Sequence, residues 1–414
     1  MHSGGVTDTS AHLRAKVSAL GDDVRFAVAD NEAMSGPVFF DADPLIGDLI
    51  AGAQVTGLDP AQRYWWQVED GGVLDTSQTG RLLTDSVAVG NPMSFTIGLC
   101  GDAGLTPSFP GVSGTAVPSR SSNHPVHSVI GSRAESENWA FILHHGDLIY
   151  YNLGSGAFGL SASATVAQYR DQWADVFLQP NIAAMLRRCP WVYIWDDHCF
   201  GPNDSDSTSP GRDNACQVYR ETVPSYPLEL ASTTGAVYHA FMKGRVLFIV
   251  LDCRADRVQG STMLGSAQLT WLEGLLQNTS AEAIVLVSSS PWYGGTTLDT
   301  WEGFPSERDD IVEMIGDHGR SGKILLTTAD IHSAGYITPE GNPYGGFPIL
   351  LTAALDATPS GASGSQWDGD WFPARNQYAT LRVDDLGDQI VMSSHIWRHQ
   401  TAIGWHYYNI QVGG

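Results

Sequence analysis

The sequence predicts an α/β (α+β) domain preceded by a small all-β sandwich, and three observations lead there. Residues 10 to 84 read as short strands broken by turns at near-regular spacing. After a linker, Asp85 to Pro92, apolar β-rich runs alternate with helical ones through residues 93–414. Most of those apolar runs end in polar or acidic residues, the place where α/β folds put their sites. At 414 residues the chain has room for two domains with sizeable cores.

In the first domain, Arg14-Ala-Lys-Val-Ser and Val24-Arg-Phe-Ala-Val-Ala alternate around a Gly21-Asp-Asp turn. Val55 to Leu58 leads through Asp59-Pro60 into the aromatic run Tyr64-Trp-Trp-Gln-Val, and Arg81-Leu-Leu-Thr closes the segment. In the second domain, strands are predicted at 94–99, 140–143, 191–195, 246–251, 283–287 and 323–328. Helices are predicted at 164–178, which Pro180 ends, at 266–277, and from Ser306 as N-cap through Ile315. Gly/Ser/Pro-rich stretches at 103–136, 201–214 and 356–376 read as long loops around a cleft.

Composition narrows the functions. Hydrophobic residues make up 43%, which excludes a largely disordered chain. Twenty-two Lys+Arg against 45 Asp+Glu leave a net charge of −23, with three lysines. That balance excludes nucleic-acid binding by bulk charge, which needs a cationic surface. The acids either keep the chain soluble or gather to hold metal ions. No window of about 18 apolar residues predicts a membrane span, and no signal-peptide pattern opens the numbered sequence. Five widely spaced cysteines form neither a disulfide framework nor a zinc ribbon.

Four constellations carry chemistry. Cys100-Gly-Asp102 follows the first strand, and residues two apart on extended backbone point the same way. His145-Gly-Asp147-Leu-Ile-Tyr150 follows the second; its carboxylate has two oxygens with which to bridge cations. Asp196-Asp197-His198 ends the third, with Asn203 within loop reach. Asp330-Ile-His332 ends the last, pairing a carboxylate with an imidazole. Each alone is also compatible with a turn or core residue; four in order at strand ends point to a metal centre. Arg254 is placed either to clamp a phosphate oxygen bidentately or to make a structural ion pair. Trp292, Trp301, Trp367, Trp371, Trp397 and Trp405 belong to the core, the rim or an apolar wall.

Together, Gly98-x-Cys100, Gly146-Asp-x-Ile-Tyr150, Trp195-Asp-Asp-His198, Leu251-Asp-x-Arg254 and Asp330-x-His332 resemble the PhoD-like alkaline phosphatase and phospholipase D branch of calcineurin-like metallophosphoesterases, related to purple acid phosphatases. The pattern at 55–68 resembles fibronectin-type-III-like domains that precede some of them. The resemblance implies a metallophosphoesterase sandwich domain that hydrolyses phosphate mono- or diesters at a binuclear iron/divalent-metal site. Cys100, Asp147 and Tyr150 would bind Fe3+, with His332 as a further ligand. Asp147 would bridge to a divalent site completed by Asp197 and Asn203, taking Ca2+, or Zn2+ or Mn2+ as in other branches. Asp102 and Asp330 would ligate or orient ligands. His198 would be the general acid or transition-state stabiliser. Cys199 stands where a Glu is usual, and Ser288-Ser-Ser-Pro-Trp-Tyr replaces a His-bearing motif. A small-molecule or lipid phosphate ester is the implied partner, in a secreted or cell-envelope location. Phospholipase D or phosphotriesterase activity, or a metal-stabilised surface binding protein, are the alternatives.

Overall fold

The computed structural model describes residues 1–17, 23–43, 49–106, 120–150, 164–295, 298–359 and 364–413. Gly21 and Asp22 of the expected turn, and residues 107–119 and 360–363 of the expected rim loops, lie outside the described residues.

The first region is all-β. Strands His2–Gly4, Ser10–Lys16 and Ile50–Thr56 make one antiparallel sheet. Val38–Asp41, Arg25–Ala29 and Arg63–Asp70 make a second, extended by Val73–Leu74 and Gly80–Leu83, which both pair with Arg63–Asp70. Alternation puts Ala11, Leu13 and Val55 of one sheet and Phe26, Val28 and Trp66 of the other into a common core. The strand at His2–Gly4 was not expected, because three residues cannot show a period. Lys243 ties this region to the next: its Nζ donates to both oxygens of Asp85 at 2.8 and 2.9 Å and to the Val6 carbonyl at 2.6 Å.

The second region stacks two sheets. In the first, Trp191–Tyr193, Ile142–His144 and Phe95–Cys100 are parallel neighbours. Gln377–Asp385, Gln389–Arg398 and Thr401–Gln411 continue it antiparallel. In the second, Val246–Val250, Ala283–Val287, Ile324–Thr328 and Ile349–Thr352 run parallel. His239–Lys243 flanks them on one side, with Ala334–Ile337 and Asp370–Phe372 on the other. Phe248, Val250 and Val285 face the sheet interface beside Ile97 and Leu381. Leu247, Ile249, Ile284 and Leu286 face Leu272, Leu276, Ile311 and Ile315 of helices Gly265–Asn278 and Pro305–Asp317. Burial on both faces explains why these strands read as unbroken apolar runs. Truncating one such residue, Leu276→Ala, would cost about 2–5 kcal/mol.

The structure holds further elements that the sequence reading did not give. Helix Pro125–Glu137 occupies part of the expected 103–136 loop, started by Pro125 in its first turn and the His124 side chain accepting from Val126 N. Helices Pro180–Arg188 and Arg212–Thr222 were likewise not expected. Nor were the three C-terminal strands, whose inward positions include polar Ser394 and whose outward ones include Trp397 and Trp405.

Candidate metal centre

Register sets the stage. Cys100 and Tyr193 both pair with His144, so three parallel strands finish in one row. In the facing sheet Val250, Val287 and Thr327 form the corresponding row. The loops leaving these rows carry the motifs, and His145 joins the sheets. Its Nδ1 donates to the Cys100 carbonyl at 3.2 Å, leaving Nε2 to accept from Thr327 Oγ1 at 2.9 Å.

The loops turn sharply. Asp102, Asp147, Asp204, Asp330 and His332 all adopt positive φ, between 48° and 76°. Asp and His tolerate this region better than most residues, but it is still strained, and strain of this kind clusters at functional sites. Gly146, at φ 106°, lets two motifs meet: a Cβ there would lie 2.5 Å from Asp196 N. No side chain fits that gap.

Three groups of side chains place ligand atoms within 4.8 Å of one another: Asp147, Asp197 and His198; Asp196, Asp197 and Asp330; and Asp197, Asp204 and Asp299. Asp197 is common to all three. Its Oδ1 accepts from His198 N and its Oδ2 from Asp204 N, at 2.8 and 2.7 Å. Asp147 Oδ2 and Asp196 Oδ2 are buried and have no hydrogen-bond partner among the described residues. Burial and the neighbouring Asp197 push the Asp147 carboxyl well above the usual range. Burial and Asp196 do the same to Asp330. Asp196 rises to about 7, burial outweighing the adjacent Arg254. Crowded acids with orphaned oxygens fit a bound cation, because buried charge needs a partner.

The remaining residues divide. Tyr150 is buried, its ring 4.6 Å from that of His198 and its hydroxyl 3.4 Å from His332 Nε2. His332 Nδ1 donates to the Thr358 carbonyl at 2.6 Å, so Nε2 carries the lone pair. Burial and then Asp147 hold the Tyr150 phenol protonated, and burial and then Asp102 do so for the Cys100 thiol; a cation reverses that preference. Cys100 belongs to none of the three acidic groups. Neither does Asp102, whose two oxygens accept from Asp330 N and His332 N at 3.2 and 3.1 Å. Asp102 braces the last motif from behind. Burial lowers the pKa of His198, with Asp197 opposing it.

Two expectations need correction. Arg254 is fully buried and all three of its nitrogens are engaged. Nε donates to Asp196 at 2.6 Å, and the terminal nitrogens to Asp299 at 2.9 and 3.0 Å and to Ser290. It neutralises carboxylates rather than standing open to a phosphate. Asn203 is exposed, its amide donating to Asp204 at 2.6 Å. Asp204, one residue on, is the side chain that joins Asp197. Asp204 and Asp299 were missed: one lies in a Ser/Asp-rich loop, the other far from any strand end, and no spacing marks either. Cys199 Sγ lies 3.9 Å from Asp147 Oδ1. Trp292, Trp301 and Trp367 are core; Trp405 is exposed.

The sequence pattern of the PhoD-like phosphatases matches residues 121–340, just over half of the chain and most of these motifs. The chain belongs to the PhoD-like phosphatase family. Alkaline phosphatase D of Bacillus subtilis (strain 168) is 26% identical over 248 residues, 48% of this chain and 42% of that protein. The match thus spans less than half the length of this curated relative. A solved structure described as that of PhoD superposes with a TM-score of 0.73 at 18% identity, covering 100% of this chain and 92% of that one. At that identity the likeness concerns the fold. That likeness in fold extends over the mixed α/β region and the all-β one before it. Among the described residues no helix is long and apolar enough to cross a membrane.

Proposed function

We propose that this PhoD-like chain hydrolyses phosphate esters at a binuclear metal site, in a catalytic domain at 93–414 behind a fibronectin-III-like domain at 10–84. The observation that carries this reading is the meeting of Asp147, Asp196, Asp197, Asp330 and His198 at the strand ends, with orphaned oxygens on Asp147 and Asp196.

The residues fit metal ions. Cys100, Tyr150, Asp147 and His332 would hold the ferric ion, and Asp147 and Asp197, with Asp204 in place of the expected Asn203, the divalent one, Ca2+ ahead of Zn2+ or Mn2+. When bound, such ions supply Lewis acidity toward a phosphoryl group, acidify water, and offset the chain's negative charge. The protein's own part is positional. Arg254 aims Asp196 and opposes the effect of burial on its carboxyl, and Asp102 fixes the backbone of Asp330 and His332. His198, packed against the Tyr150 ring, gains a counter-charge when a phosphate arrives, and so becomes able to protonate the leaving oxygen. The family resemblance supports a secreted or cell-envelope location.

The test compares p-nitrophenyl phosphate with bis(p-nitrophenyl) phosphate, before and after chelation, alongside elemental analysis. Turnover that chelation abolishes and iron plus calcium restores is expected, with a purple or brown colour from tyrosinate bound to iron. Equal turnover in metal-free protein would refute the reading.

A further inference from the structure

We infer that Asp356 is a positioning residue that locks three loops of the site together and to the scaffold behind them. The inference rests on the hydrolytic reading above, and no motif in that reading contains Asp356. Its carboxylate is buried, 2% exposed, on the segment after strand Ile349–Thr352.

Its two oxygens reach in different directions. Oδ1 accepts from Gly104 N at 2.8 Å, just past the Cys100-Gly-Asp102 motif. Oδ2 accepts from Ser122 Oγ at 2.8 Å, at the entry to helix Pro125–Glu137. The backbone on either side reinforces the first contact. Leu355 N donates to the Gly101 carbonyl at 2.9 Å, and Ala357 N to the Asp102 carbonyl at 3.2 Å. Gly104 is required by this approach, since a Cβ there would lie 2.9 Å from Asp356 Oδ2 and 3.0 Å from its carbonyl oxygen.

Two residues further, the Thr358 carbonyl takes the Nδ1 proton of His332 and so presents the Nε2 lone pair to Tyr150. Asp102 closes the circuit by holding the N–H groups of Asp330 and His332. Segments 101–104, 330–332 and 355–358 therefore move as one body, and the Asp356–Ser122 bond joins that body to the helix. His127 approaches Asp356 at 3.9 Å, but burial drives its pKa down to about 4, so it adds no charge at neutral pH. Asp356 acts by geometry: it keeps one face of His332 and the Asp102 brace in register with Asp147 and Asp197.

The test is a variant set read for metal content as well as turnover. Asp356→Ala is expected to lower kcat by about 10- to 100-fold and to lose iron and calcium on dialysis, the usual cost of removing a group that orients ligands. Asp356→Asn should stay within roughly 3-fold, because its amide oxygen still accepts from Gly104 and its amide N–H donates to Ser122 Oγ. Ser122→Ala, milder and safe for folding, should lower kcat by roughly 3- to 10-fold, as for one lost hydrogen bond. Glu307→Ala is the structural control. That buried carboxylate accepts from Met263 N and Leu264 N and belongs to none of the motifs. It should lower the melting temperature and leave kcat and metal content alone. Wild-type kcat and metal in Asp356→Ala, or unchanged kcat in Ser122→Ala should the first variant not fold, would overturn the inference. An equal loss in Glu307→Ala would do the same. A wild-type protein with neither metal nor turnover would instead overturn the hydrolytic reading, so the two failures are distinct.

Discussion

Asp85 at the joint between the two regions and Asp147 at the strand ends are both buried acids, yet their surroundings differ in kind. Asp85 receives Lys243 on both oxygens, and the same ammonium also takes the Val6 carbonyl. Asp147 faces Asp197, and one of its oxygens has no partner among the described residues. The joint is locally neutral and closed; the site is a concentration of negative charge held open. Arg254 is intermediate, a buried cation shared between Asp196 and Asp299 that offsets part of the repulsion. A burial that is electrostatically complete serves the fold. One that is incomplete is an expense the fold carries for a ligand.

Five substitutions probe that contrast. Asp147→Asn should reduce turnover of an aryl phosphate by about 10³-fold or more, as for loss of an essential group. In chelator, the same variant should gain about 1–3 kcal/mol in calorimetry, because an amide relieves the desolvation and repulsion that a carboxylate bears. A loss of stability there would mean that Asp147 is already compensated. Lys243→Met should cost about 3–5 kcal/mol, leaving Asp85 buried without a counter-ion, with kcat per folded molecule unchanged. Adding Asp85→Asn should recover much of that loss; no recovery would show that the Val6 contact, not the ion pair, holds the joint. The smallest effects concern the loop after His198. Asn203→Ala should stay within about 2-fold in kcat/KM, as surface changes do. Asp204→Asn should lower it by roughly 3- to 10-fold, a carboxylate of the divalent site giving way to a neutral, weaker oxygen ligand while its backbone N–H bond to Asp197 stays. The reverse order would return the ligand role to Asn203.

Much of the site was legible because its residues sit at the ends of strongly apolar strands. Asp147, Asp197, His198, Asp330 and His332 each follow such a run; the structure brings Asp147, His198 and Asp330 to Asp197 and sets His332 against Tyr150. Asp299 was not legible: it reaches Asp197 from a segment with no strand before it, through contacts that only the packed chain creates. The phosphate-clamp reading of Arg254 failed for a related reason. Sequence shows that an arginine is near the motif, but not that two carboxylates will enclose it. Helix Pro125–Glu137 escaped because its serines and glycine give little contrast between faces, while His124 and Pro125 act through local capping.

The sequence by itself determined six apolar strands and three helices of the second region, the acidic character of the chain and the motifs at the strand ends. These follow from periodicity and residue type, which are local. Only the tertiary structure decided which acids share a centre and which are paired elsewhere. It also decided that Asp102 braces rather than joins the acidic groups, and that Asp356 accepts from both Gly104 N and Ser122 Oγ. Those outcomes depend on register between strands and on the distance between loops far apart in the chain. Charge interactions change character over a few ångströms, and one-dimensional spacing does not specify such distances.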